Sequence, residues 1–313
     1  MQYHCYMHDA FYLLAGVFCA GVGGELFVRG TIAIAGTMRI PRGIVAATIA
    51  AFATSAPELS VSITSALSGN PSLGVGDALG SNVANIALVA GLAMLFGATI
   101  SRDQSSKRYI TTALYAPLIT TLVILDGELS RIESAFLLAT FVIWLLLTVR
   151  DVRRDRSSLP QSQVGTPLWR SIFNLLGGLP LLILAGSLVV EGGAGIAHHF
   201  GLSDFVVGAT VVAVGTSMPE IAVVIISRFK NMDEVGLGTL IGSNIFNGLA
   251  ILPIATLISP LQIQSTTIFI SLAFGFASVI IVSLPPSWLP SRSRGIVLLA
   301  LYALNVLVVS FAG

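Results

Sequence analysis

The sequence predicts an all-α polytopic membrane protein: ten transmembrane helices arranged as two inverted five-helix repeats, with both termini outside (N-out/C-out). Three observations carry that prediction. The 313 residues are 55% hydrophobic and only 10% charged, where soluble domains carry about a quarter charged residues. Apolar runs of spanning length follow one another down the whole chain, and the basic residues fall almost entirely in alternate connections. The sequence also matches itself, without gaps, at an offset of 162 residues.

The composition excludes several classes at once. A mean hydropathy of +0.90 leaves no stretch able to fold as a separate aqueous domain. The net charge is +1 and the 16 basic residues are dispersed, so there is no electrostatic footprint for nucleic acid and none is expected as a partner. Cys5 and Cys19 have neither metal-ligand spacing nor the numbers for a disulfide framework. The first basic residue, Arg29, follows the first apolar run, so this run is expected to be a retained helix and not a cleaved signal.

A bilayer core takes about 20 apolar residues per helix. That ruler places spans near 9–28, 43–68, 72–98, 109–125 and 132–149, then near 170–194, 204–228, 235–258, 262–283 and 294–312. Lys and Arg resist translocation and mark cytoplasmic loops. With the N-terminus outside, the inner connections and adjoining helix ends collect every one of the 16 basic residues except Arg131. One missed helix would scatter them over both sides, so the charges support the even count independently of hydropathy. The polar stretch DVRRDRSSLPQSQ divides the chain near its middle. It is expected to be a plain cytoplasmic linker, 151–168, between a first repeat at 1–150 and a second at 169–313.

The self-match begins with LFVRGTIAIA at 26–35 against LVVEGGAGIA at 188–197. In the same register Thr54-Ser55-Ala56-Pro57-Glu58 meets Thr216-Ser217-Met218-Pro219-Glu220. Gly80-Ser81-Asn82-Val83-Ala84-Asn85 likewise meets Gly242-Ser243-Asn244-Ile245-Phe246-Asn247. Each copy has five spans, an odd number, so the second enters the membrane from the opposite side. Inverted repeats with a midplane binding site between them are a common plan among secondary transporters.

Pro57 and Pro219 lie inside apolar spans. A proline there lacks its N–H and crowds the preceding turn, so each helix is expected to break, freeing the carbonyls of Ala53 and Gly215 and displacing Ala56 and Met218 from helical geometry. A lone proline of this kind is usually a structural kink. Glu58 and Glu220 change the reading, because a carboxylate at the bilayer centre costs at least ~2.5 kcal/mol and is functional by default. Their two charges match one divalent ion, and with neutral oxygens they approach the ~6 to 8 ligands that Ca2+ takes. Ser81 and Asn85, like Ser243 and Asn247, stand four residues apart on one helical face. Singly such residues are packing glue; recurrence of the whole set at one offset points to ligands. Asp77, one turn before Ser81, either tunes the pathway or holds a structural hydrogen bond, while Glu25 and Glu191 lie near helix ends.

The duplicated Thr-Ser-x-Pro-Glu and Gly-Ser-Asn-x-x-Asn segments resemble the α-repeats of the calcium/cation antiporter superfamily, in its bacterial and archaeal sodium/calcium exchanger branch. The resemblance extends over essentially the full chain. It implies a central Ca2+ site of Glu58 and Glu220 with backbone oxygens of Thr54 and Thr216. It further implies flanking Na+ sites at Ala51, Ser55 and Ser243 and at Ala213, Ser217 and Ser81, with Asn85 and Asn247 at the remaining midplane positions. In the family's mechanism Na+ and Ca2+ compete for overlapping ligands while the first and sixth helices slide against the rest. This sequence departs from the pattern at Ala53, usually glycine, and at Asn247, where several exchangers carry aspartate.

Function is therefore expected to be exchange of Na+ for Ca2+ across the cell (inner) membrane, with the ions as substrates and no cofactor. The expected unit is a monomer in the lipid bilayer. A proton-coupled or broader divalent-cation antiporter of the same fold is the alternative. An enzyme using Ser55 or Ser217 as nucleophile lacks a base, since His4, His8, His198 and His199 all lie in outer segments and no lysine lies within a span.

Overall fold

The computed structural model describes residues 2–38, 40–99, 104–124, 126–155, 167–199, 204–262, 266–285 and 287–312. Apart from one two-residue strand pair, the regular structure is helical. In chain order, α1 is Gln2–Met38, α2 Arg42–Thr54, α3 Ala56–Leu67 and α4 Pro71–Leu95. Next, α5 is Gln104–Val123 and α6 Arg131–Asp155. Then α7 is Leu168–His199, α8 Phe205–Thr216, α9 Met218–Phe229 and α10 Asp233–Ile258. The last two are α11, Thr266–Ser283, and α12, Ser291–Ala312. Among the described residues seven helices are long and apolar enough to cross a membrane. The bent pairs α2–α3 and α8–α9 raise that to nine, and α5 has a shorter apolar part, Thr111–Val123.

Most boundaries fall within a few residues of expectation; α1 does not. The first span was expected to end at 28, but α1 continues to Met38. Arg29 read as a helix end, yet its guanidinium pairs with Glu25 one turn earlier, and an (i, i+4) ion pair supports a helix instead of closing it. The linker also begins later than expected, because 151–155 continue α6; most of the rest, 156–166, lies outside the described residues.

Strands β1, Glu128–Leu129, and β2, Leu261–Gln262, pair antiparallel. They place the α5–α6 and α10–α11 connections on one face. Arg131, the single basic residue expected outside, lies on that face. Its Nε donates to Leu257 O at 2.9 Å and its guanidinium reaches Ile258 O at 3.3 Å. The final carbonyls of α10 have no partner within the helix, and a cation there also suits the helix dipole; this local duty accounts for the exception. The opposite face carries Arg42 beside Glu234 and Arg228 bonded to Asp233 and Phe96 O.

Helices α4 and α10 are the most enclosed, while α6, α7 and α12 turn apolar side chains such as Leu146, Phe173 and Phe311 outward. Exposed apolar faces suit a lipid solvent, in which helix association rests on close packing and small residues. The first and sixth expected spans, α1 and α7, pack on each other along glycines. A Cβ at Gly23 would lie 2.9 Å from Gly178 O, and one at Gly30 2.6 Å from Leu175 N. At the centre the two halves interlock. Gly80 of α4 lies against Ala209 of α8, and Gly242 of α10 lies against Ala47 of α2.

Candidate ion-binding site

The proline-bearing spans break as their sequence requires, one residue earlier than expected. Ser55 (φ −81°, ψ 9°) and Ser217 (φ −78°, ψ 4°) leave helical geometry, whereas helix resumes at Ala56 and Met218. The axes bend by 41° and 42°. Placing the irregular residue there sets each proline in the first turn of the next helix, where no N–H is needed. The backbone ladder crosses the breaks by Ser55 N–H to Ala51 O and Leu59 N–H to Ser55 O, and by Ser217 N–H to Ala213 O and Ile221 N–H to Ser217 O. Carbonyls of Ala53, Thr54, Gly215 and Thr216 thus fall at the interruptions.

Each break puts a glutamate in the first turn of a helix, Glu58 of α3 and Glu220 of α9, where the dipole favours an anion. Both are fully buried, as are Asp77, Ser81, Asn85, Ser217, Ser243 and Asn247. The Glu58 carboxylate faces Glu220, Asp77 and the Ser217 hydroxyl, and Glu220 faces Thr54 and Ser243. No hydrogen bond of normal geometry closes on any oxygen of the two glutamates.

The interlocked packing joins the expected residues across the halves. Ser55 Oγ lies 2.9 Å from Ser243 Oγ, and Asn85 Nδ2 donates to Ser243 Oγ at 3.2 Å. On the other side Ser81 Oγ donates to Ala213 O at 3.3 Å and lies 3.3 Å from Thr216 Oγ1. Thr54 Oγ1 turns back to Ala51 O at 3.3 Å. Ser217 Oγ, Asn85 Oδ1 and both side-chain polar atoms of Asn247 have no partner. Buried polar groups are rarely left so. Among the described residues no three His, Cys, Asp or Glu side chains converge on a metal position. A cation here would take its charge from two glutamates and the rest of its shell from neutral oxygens, a donor set suited to hard ions.

Two features escaped the sequence, the widened turns and a contact between the motif helices, and one open reading is narrowed. Widened π turns run over Ala46–Ala50 and Gly208–Val212, at equivalent places in the two halves, and over Ala84–Ala90 and Asn247–Ile251. Such turns gather at functional sites, but no residue pattern announces them. Asn244 Nδ2 donates to Asn82 O at 3.0 Å, tying the two motif helices directly. Asp77, left open between two roles, accepts from Thr216 Oγ1 at 2.8 Å. A hydrogen bond contributes about 0.5–1.5 kcal/mol net. Asp77→Ala is therefore expected to lower thermal stability and weaken cation binding together, with Asp77→Asn, which keeps an acceptor, retaining most of both in melting and binding titrations.

The family model of the sodium/calcium exchanger protein matches residues 8–150 and 170–311. The chain belongs to the sodium/calcium exchanger family. Within it, the chain is 38% identical over 256 residues to a putative antiporter, CaxA, of Alkalimonas amylolytica, covering 80% of each. It is 23% identical over 341 residues to the sodium/calcium exchanger MaX1 of Methanosarcina acetivorans, covering 96% of this chain and 97% of the relative. The solved structure of the sodium-calcium exchanger NCX_Mj superimposes with a TM-score of 0.80 at 28% identity, covering 96% of this chain and 98% of that one. This family member is thus a multi-pass membrane transporter of the cation and Ca2+ antiport class, and not an enzyme.

Proposed function

We propose that the protein exchanges Na+ for Ca2+ by alternating access, in the inner membrane, through ten spans arranged as two inverted repeats with both termini outside. The repeats are 1–150 and 169–313, joined by 151–168 on the cytoplasmic side. The observation that carries this reading is the pair of buried, unbonded carboxylates, Glu58 and Glu220, facing each other at the breaks of two bent helices. Their two negative charges suit one Ca2+, with the backbone oxygens of Thr54 and Thr216 and the amides of Asn85 and Asn247 as neutral donors. Ala51, Ser55 and Ser243 on one side, and Ala213, Ser217 and Ser81 on the other, form the Na+ positions. Two of these groupings are already in hydrogen-bond contact across the halves, at 2.9 Å for Ser55 with Ser243 and 3.3 Å for Ser81 with Ala213. Sharing the glutamates makes the two cations mutually exclusive, which is what exchange requires. The glycine-lined seam between α1 and α7 lets that pair move as a unit against the rest.

Vesicles loaded with Na+ and diluted into Na+-free medium with labelled Ca2+ are expected to accumulate Ca2+ only while the Na+ gradient lasts. Uptake that ignores Na+ and follows an imposed pH gradient would transfer the assignment to the proton-coupled alternative. Asp77 is the observation that favours testing that arm, since it is a third buried carboxylate, bonded to Thr216 and facing Glu58.

A further inference from the structure

A second cluster of charge lies away from the transport path, on the face that carries Arg42, Arg228 and Asp233. A cleft of about 810 Å³ opens between α1, α7 and the α9–α10 turn. Arg29 of α1, Arg170 of α7 and Lys230 of the turn all line it, together with Trp169, Phe173 and Asn174. Among the described residues one acidic side chain offsets these cations. Glu25 bonds to Arg29 and to Lys230 Nζ at 2.8 Å. Among the described residues Arg170 has no ion pair, and its guanidinium lies 5.2 Å from the Trp169 ring. A net excess of positive charge therefore converges on one concave site, and its volume falls in the range of small-ligand pockets.

The flank of the cleft is apolar in one direction. From Trp169, Phe173 and Leu176 follow at four and three residues, on one face of α7, and the three are 63%, 69% and 58% exposed. A basic pocket at one end of a lipid-facing apolar stripe has the two-part character of a phospholipid, with a phosphate at the cations and an acyl chain along the helix. The indole at the junction is placed as tryptophans are at membrane interfaces. Basic pockets between membrane helices on the inner side bind lipid headgroups. The same face collects the other basic connections, which places it at the inner leaflet.

We propose that this cleft is a binding site for an anionic phospholipid of the inner leaflet, with Arg170, Lys230 and Arg29 holding the headgroup phosphate and the Trp169–Phe173–Leu176 stripe holding an acyl chain. A lipid seated there bridges the α1/α7 pair and the α9–α10 turn, two parts otherwise joined at this level by Glu25 and Lys230. The leaflet rests on the sidedness proposed above, while the test reads binding alone and is independent of sidedness and of which ions are exchanged.

The purified chain in detergent is mixed with equal mole fractions of phosphatidylglycerol and phosphatidylcholine, and retained lipid is counted by native mass spectrometry. Wild type is expected to retain phosphatidylglycerol preferentially, and each of Arg170→Gln and Lys230→Gln to lower that retention about fivefold. Arg170 is exposed and, among the described residues, has no ion pair, only its contact with the Trp169 ring, so Arg170→Gln is expected to melt close to the wild-type temperature and keeps the test sound if Lys230→Gln misfolds. Equal retention of the two lipids by wild type overturns the proposal, as does a preference that survives Arg170→Gln. Protection against melting by inorganic phosphate, without phosphatidylglycerol preference, also overturns it in favour of a small-anion site.

Discussion

Replacing Glu58 or Glu220 with glutamine is expected to bring Na+-driven Ca2+ uptake down to the level of protein-free vesicles while leaving the fold intact. The substitution keeps the shape of the side chain and one carbonyl oxygen, removes the charge and turns one ligand oxygen into an NH2 donor. Both carboxylates are fully buried, and among the described residues no cationic side chain pairs with them and, apart from each other and Asp77, only neutral hydroxyls face them. Removing one partner of a buried charge pair costs about 3–5 kcal/mol. Against a bound divalent ion that is between two and four powers of ten in affinity. The sign of the stability change separates loss of function from loss of fold. In ion-free buffer each glutamine variant is expected to melt no lower than wild type, because it eliminates an uncompensated buried charge. Added Ca2+ should raise the melting temperature of wild type and not of the variants, since only binding to the native state stabilises it. Undiminished Ca2+ flux in Glu58→Gln or Glu220→Gln would falsify the assignment of the site.

How much of this was readable in the residues depends on whether the physics is local. A proline in an apolar run breaks a helix wherever it occurs, so Pro57 and Pro219 locate both breaks; the hinge itself, at Ser55 and Ser217, follows from fitting each proline into a first turn. The repeat offset names residues that the structure brings together but implies more symmetry than the structure has. Ser55 meets Ser243, yet Ser217 Oγ is unbonded while Ser81 turns to Thr216 and Ala213. Asp77 reaches across to Thr216, whereas its counterpart Thr239 bonds within its own helix to Val235 O at 2.9 Å. Asp77 and Thr239 have diverged in sequence, but Ser55 and Ser217, like Ser81 and Ser243, are identical in the two copies, so tertiary packing decides which partner each hydroxyl takes. Charge was misleading as a boundary. Arg29 does not end α1 because Glu25 compensates it, and Arg131 does not break the pattern of sidedness at random because α10 needs its last carbonyls satisfied.

The other large effect is expected at glycines that no charge or hydropathy argument singles out. A Cβ on Gly80 would stand 2.4 Å from Ala209 O, and one on Gly242 2.3 Å from Ala47 O. Both contacts are to backbone, which cannot rotate aside, and both facing residues belong to π turns. Even alanine must push two central helices apart. Overpacking of this kind costs about 1–3 kcal/mol. The displacement is also transmitted to the site, because Gly80 adjoins Ser81 and Gly242 adjoins Ser243. A shift of about 1 Å in a positioned group is enough to cost on the order of a hundredfold in rate. Gly80→Ala and Gly242→Ala are thus expected to melt below wild type and to lose most Ca2+ transport, although neither removes a polar atom. Gly177→Ala supplies the contrast, since a Cβ there meets nothing within 4 Å. Within the long helix α7 that substitution should stabilise by about 0.5–1 kcal/mol, as replacing a helical glycine does. Should all three variants melt alike, the close approach of α4 to α8 and of α10 to α2 is not what holds the two halves together. Opposite shifts identify those crossings as the joint that sets the spacing of the ion site.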